Sequence, residues 1–129
     1  GRPADGDSGE ELRRLKARYG RAGIKFADRG LKIFPGDDGL LIQKAAIAMS
    51  NLDDYGTAEE CYAEMAAKKD APVYVLRRYA ALLMRNGKFA EAVKTMERMD
   101  PEIPDDSPLK SVVRRQLEEA RRLMEKSKL

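Results

Sequence analysis

Residues 39–72 and 73–106 of this 129-residue chain repeat one another at an offset of 34. Ile42 meets Leu76, Ala46 meets Ala80, and Met49 meets Leu83. Tyr55 then meets Phe89, Ala58 meets Ala92, Tyr62 meets Met96, and Met65 meets Met99. A fixed period of this length confines the chain to repeat architectures. In these, each unit is one supersecondary element that cannot bury its apolar face alone and must stack on a neighbour.

The elements are helices. Residues 1–7, rich in Gly, Pro and Asp, are expected to be disordered. Order is expected from Ser8, which with Glu11 reads as a capping box. Leu12, Leu15, Tyr19, Ala22, Phe26, Leu31, Ile33 and Phe34 follow at largely helical spacing. Gly20 and Gly23 are poor helix residues, so this stretch is one long helix or two with a tight joint. Phe34-Pro35-Gly36 stops it. Asp37-Asp38 and Asp53-Asp54 read as helix caps, Pro72 as a first-turn residue, and Asn86-Gly87 as a stop with Gly in the left-handed conformation. Ser107-Pro108 opens a final helix whose apolar stripe runs from Leu109 to Met124. No convincing period-2 strand occurs. The predicted fold is all-α, with about six to seven helices in a single domain over residues 8–129.

Composition narrows the chemistry. Histidine is absent and Cys61 is the lone cysteine. A Ser-His-Asp triad, a Cys-His dyad, a disulfide framework and a His- or Cys-based zinc site are therefore excluded. No Gly-rich phosphate loop occurs, and the paired aspartates read as caps, so no catalytic residue, metal or cofactor is assigned. Cys61 reads as a small buried hydrophobe. Net charge is only +3, with acids and bases interspersed as in Glu118-Glu119-Ala120-Arg121-Arg122. That mixing marks solvated helix faces more than a nucleic-acid patch.

The residue types at the repeated positions resemble the tetratricopeptide repeat family. That pattern asks for a large residue at slot 4, small at 8, large at 11, Gly at 15, aromatic at 17, Ala at 20, large at 24, small at 27 and Pro at 32. The second repeat supplies Leu76, Ala80, Leu83, Gly87, Phe89, Ala92, Met96 and Pro104, and departs at Met99. The first supplies Ile42, Ala46, Met49, Tyr55, Ala58 and Tyr62, and departs at Asp53, Met65 and Asp70. Short side chains at Ala46, Ala58, Ala80 and Ala92 suit the close crossing of two helices. The resemblance covers residues 39–106 well and 20–38 loosely. It divides the domain into a degenerate repeat (8–38), two good repeats (39–72 and 73–106) and a capping helix (107–129), in a right-handed superhelical stack.

The resemblance implies a non-catalytic scaffold for protein–protein interaction, whose concave groove holds a peptide or a partner helix. Carried over slot by slot, the groove positions are Leu40, Gln43, Ile47, Ser50 and Asn51, then Tyr74, Arg77, Ala81, Met84 and Arg85. Continuing the frame adds Ser111 and Arg115 on the last helix. Arg77, Arg78, Arg85, Arg114 and Arg115 would make one wall basic and suit an acidic ligand, because guanidinium groups bind carboxylates bidentately. The alternative for these arginines is pairing with neighbouring acids. The family's carboxylate-gripping subgroup uses Lys and Asn at slots held here by Gln43 and Ile47, so that activity is not carried over.

Two other function classes stay open at this stage. One is self-association into a homodimer through the last helix or an exposed repeat. The other is nucleic-acid binding, disfavoured by the few aromatics. A membrane-surface role for the last helix is weak, since Glu118-Glu119 precedes its basic end. No compartment is assigned. The absence of disulfides weakly favours a reducing one, and Ser127-Lys128-Leu129 spells a peroxisomal address only where it is the native C-terminus.

Overall fold

The computed structural model describes residues 5–128, which form six α-helices and one 3₁₀ turn, with no strand among them. The helices are α1 (Asp5–Ile33), α2 (Asp38–Leu52), α3 (Tyr55–Ala66), α4 (Val73–Arg85), α5 (Phe89–Met99) and α6 (Pro108–Ser127). The 3₁₀ turn, Asp100–Glu102, follows α5 directly. The chain divides into two compact units, Gly1–Cys61 and Tyr62–Leu129, with the division inside α3.

Most boundaries follow from local chemistry. Asp37 caps α2, its Oδ2 accepting the Leu40 amide at 2.9 Å. Asp54 does the same for α3, accepting the Thr57 amide at 3.0 Å and the Thr57 hydroxyl at 2.6 Å. These bonds hold the Asp54 carboxyl below its ordinary pKa. Ser107 caps α6 and Pro108 opens it. Pro72 sits at the N-cap of α4, one position earlier than expected.

The α4 stop is complete. Gly87 has φ +77°, and its amide and that of Lys88 return to the Met84 and Leu83 carbonyls. The corresponding slot in the first repeat is Asp53, which also turns left-handed, at φ +50°. The same bend is made there by a residue with a Cβ, at a steric disadvantage of roughly 1–2 kcal/mol relative to Gly.

In the first unit, α1 is one continuous helix. It begins at Asp5, so Ser8 lies inside its first turns and is not the cap; residues 1–4 of the segment expected to be disordered lie outside the described residues. Gly20, Gly23 and Gly30 are tolerated because they face α2 at close range. A Cβ on Gly20 would stand 2.6 Å from Asn51 Cβ; on Gly23, 2.9 Å from Ile47 Cδ1; on Gly30, 2.8 Å from Leu40 Cδ1. Packing thus overrides helix propensity. Asn51 Nδ2 donates to the Lys16 carbonyl at 2.9 Å, and Lys44 pairs with Asp28 at 2.7 Å. That pairing, chiefly the hydrogen bond from Lys44 to Asp28, raises the Lys44 pKa.

The second unit is packed by large side chains. α5 lies against both α4 and α6. Leu76, Leu83, Met96, Met99, Val113 and Leu117 are buried, as are Ala80, Ala92 and Ala120, where short side chains allow close approach. Lys110 of α6 is buried as well. Its Nζ donates to the Asp100 carbonyl at 2.6 Å and the Ile103 carbonyl at 3.1 Å, and stands 3.4 Å from Asp100 Oδ2. One ammonium therefore satisfies the turn that ends α5. Arg98 donates to the Ala66 and Lys68 carbonyls, closing the last turn of α3.

One close-packing expectation fails. Ala58, Ala80 and Ala92 are buried, but Ala46 is exposed. α2 buries Leu41, Ala45 and Ala48 instead, one residue away from the repeat slots. The reason is α1: Leu40, Ile47 and Asn51 lie on it, and this leaves Ala46 exposed with Ile42 and Met49 only half-buried.

Candidate functional site

Within the second unit, α4 and α6 form the walls of a cleft of about 660 Å³ over α5. The buried side chains Ala80, Met96 and Met99 make its floor. Arg77, Ala81 and Met84 line it from α4; Arg115, Gln116 and Glu119 line it from α6. One-turn spacing explains each wall: residues 77, 81 and 84, and residues 115, 116 and 119, recur on single helix faces.

The charges of this cleft are specific. Arg77 and Arg115 are exposed, and neither forms an ion pair among the described residues. Glu119, the cleft's one carboxylate, is held by Arg122, and the bond to Glu119 raises the Arg122 pKa. Of the five arginines expected on one basic wall, Arg77 and Arg115 line the cleft. Arg114 instead pairs with Asp100 at 3.6 Å, while Arg78 and Arg85 are exposed outside the lining.

The ten sequence-derived ligand residues separate into groups. Arg77, Ala81, Met84 and Arg115 come together here. Tyr74 is 53% exposed on α4 but outside the lining. Arg85 ends α4, and Ser111 donates to the Pro108 carbonyl at 3.1 Å. Gln43 is exposed on α2, whereas Ile47 and Asn51 are taken up by α1. As cleft residues, sequence reasoning missed Ala80, Met96, Met99, Gln116 and Glu119. Met99, which departs from the small residue wanted at slot 27, was the available signal for the floor. A further turn from Ser111 and Arg115 would have reached Glu119.

The sequence profile described as Tetratricopeptide repeat matches residues 52–116, half of the chain. The chain belongs to the tetratricopeptide repeat family. No curated protein and no solved structure matches it. Tetratricopeptide repeats generally mediate protein–protein interaction and are typically non-catalytic. The match spans the whole of α4, α5 and the 3₁₀ turn, and reaches Gln116 in α6. It therefore includes every residue of the cleft except Glu119. Among the described residues no helix is long and apolar enough to cross a membrane, and no group of His, Cys, Asp or Glu could hold a metal ion. Cys61 is buried, in line with its reading as a small hydrophobe.

Proposed function

We propose that the tetratricopeptide repeat cleft of the second unit docks an acidic peptide segment of a partner protein. The observation that carries this reading is the pair Arg77 and Arg115, unpaired on opposite walls above a methionine floor. A guanidinium without an internal carboxylate is available for bidentate contact with an external one. Methionine side chains adapt to varied apolar surfaces, so the floor suits an apolar residue flanked by acids.

The test is a titration of fluorescein-labelled peptides, apolar at the centre and either Glu- or Lys-flanked, followed by anisotropy. The Glu-flanked peptide is expected to bind, and Arg77→Ala with Arg115→Ala to weaken it at least tenfold. Charge-assisted hydrogen bonds of about 1.5–3 kcal/mol set that scale. Equal binding by the double variant and the native chain would sink the proposal.

A further inference from the structure

The first unit carries an apolar surface with no part in the cleft. Leu12, Leu15, Tyr19, Phe26, Ile33 and Phe34 are between 42% and 71% exposed. Along α1, Leu12, Leu15, Tyr19, Ala22, Phe26 and Ile33 fall at alternating steps of three and four, with Arg29 at the one remaining position. This is the a/d spacing of a coiled-coil seam, about 33 Å long at 1.5 Å per residue. Tyr19 and Phe26 of the seam together with Phe34 just past its end, at about 200 Å² each, expose roughly 400 Å². That is the scale of the functional patches on monomeric proteins and of the apolar centre of a protein interface.

The seam has two unlike borders. On one side α1 meets α2 through Gly20, Gly23 and Gly30. On the other runs a ridge of exposed cations, Arg18, Arg21, Lys25 and Lys32, which Arg29 joins from its place in the seam. None of the five forms an ion pair among the described residues. Asp28, the only acid between residues 13 and 32, is turned to Lys44 of α2.

We infer that this seam docks an amphipathic helix of a partner protein, apolar on one face and acidic along the edge that meets the ridge. Strict heptad spacing makes a strip one helix wide, narrower than the broad apolar arc that lies in a bilayer. α2 also occupies the border where a bilayer-bound helix needs its second row of cations. A second copy fits less well. Antiparallel pairing of two α1 seams sets ridge against ridge, with Arg18 and Lys25 facing like charges. A nucleic acid would meet the ridge and leave the seam uncovered.

The probes are two 24-residue peptides with Leu at every a and d position and either Glu or Lys at every e and g. Like-charged flanks keep each from pairing with itself. Binding is read by anisotropy at low and at 0.5 M salt, with circular dichroism verifying that each variant keeps its helix content. The Glu peptide is expected to bind at least tenfold tighter than the Lys peptide, and salt to narrow that gap. Tyr19→Ala with Phe26→Ala should weaken it at least tenfold, and by the same factor when the cleft is already disabled by Arg77→Ala with Arg115→Ala, which separates this surface from the cleft. Equal affinity for the two peptides overturns the inference, as does indifference to the Tyr19 and Phe26 changes. So does a concentration-dependent dimer abolished by Phe26→Asp, which assigns the seam to a second copy. Sedimentation with phosphatidylserine vesicles abolished by the same change assigns it to a bilayer.

Discussion

The two units meet the same requirement, holding helices together, by opposite means. The second interlocks large side chains from three helices and ends with Leu83 and Val113 fully buried. The first brings α1 onto α2 through glycines, so backbone lies close to side chain while Leu12, Leu15, Tyr19, Phe26 and Ile33 of α1 stay in solvent. Helical periodicity is equally good in both. It marks a face that water disfavours, but whether that face meets this chain or another molecule is decided by the neighbouring element.

The sharpest break between the units should appear in unfolding. Leu83→Ala is expected to destabilise the chain by about 2–5 kcal/mol, through lost burial and the cavity left behind. Phe26→Ala, an equally drastic truncation on the exposed seam, should stay within about 0.5 kcal/mol. Urea denaturation of both variants checks this, and equal losses would mean that the seam is covered within the folded chain.

Lys110→Ala is expected to cost roughly 3 kcal/mol, because two carbonyls lose the buried ammonium that serves them and Asp100 is left with Arg114 alone. Asp100 Oδ1 already lacks a hydrogen bond and has only the Arg114 guanidinium beside it, at 3.6 Å. The same denaturation series measures it.

The glycine contact makes a finer test. Gly20→Ala should destabilise by about 1 kcal/mol, since the new methyl meets Asn51 Cβ, which is fixed to the backbone. Gly30→Ala should be close to neutral: the atom it meets is the mobile end of Leu40, and the gain in helix propensity offsets the adjustment.

Between the two repeats, Asp53→Gly is expected to stabilise by about 1 kcal/mol, bringing the strained stop to the standard set by Gly87. A rise in Tm of several degrees would register it. The last effect concerns pH. Because folding lowers the Asp54 pKa, its stabilisation is present above the unfolded value of about 3.9 and is lost as pH falls through the folded value. Asp54→Ala should therefore cost about 1 kcal/mol at neutral pH, and the difference from the native chain should close below about pH 4.

What was legible in the sequence was local. Asp37, Asp54 and Ser107 bond amides two or three residues away, and Gly87 closes its own helix, so neighbours along the chain suffice to read them. Arg77, Ala81 and Met84 were legible as one face of one helix. What stayed hidden depends on contacts distant in sequence. Gly20 and Gly23 read as a break until α2 is seen to need their missing side chains. Ala46 read as a crossing point because nothing in the repeat pattern says that α1 lies on Leu40, Ile47 and Asn51. Sharing of the net charge along the chain also hid the ridge, which emerges only when Asp28 is seen to face Lys44.

Hydroxyl-radical footprinting of the isolated chain, at a concentration where it is monomeric, tests the contrast between the units most directly. Tyr19, Phe26 and Phe34 should be oxidised at the rates of exposed residues, while Met96 and Met99, intrinsically prone to oxidation, are protected by burial. Protection of Tyr19 and Phe26 to the level of Met96 and Met99 would contradict the account, because α1 would then spend its apolar face on this chain's own core.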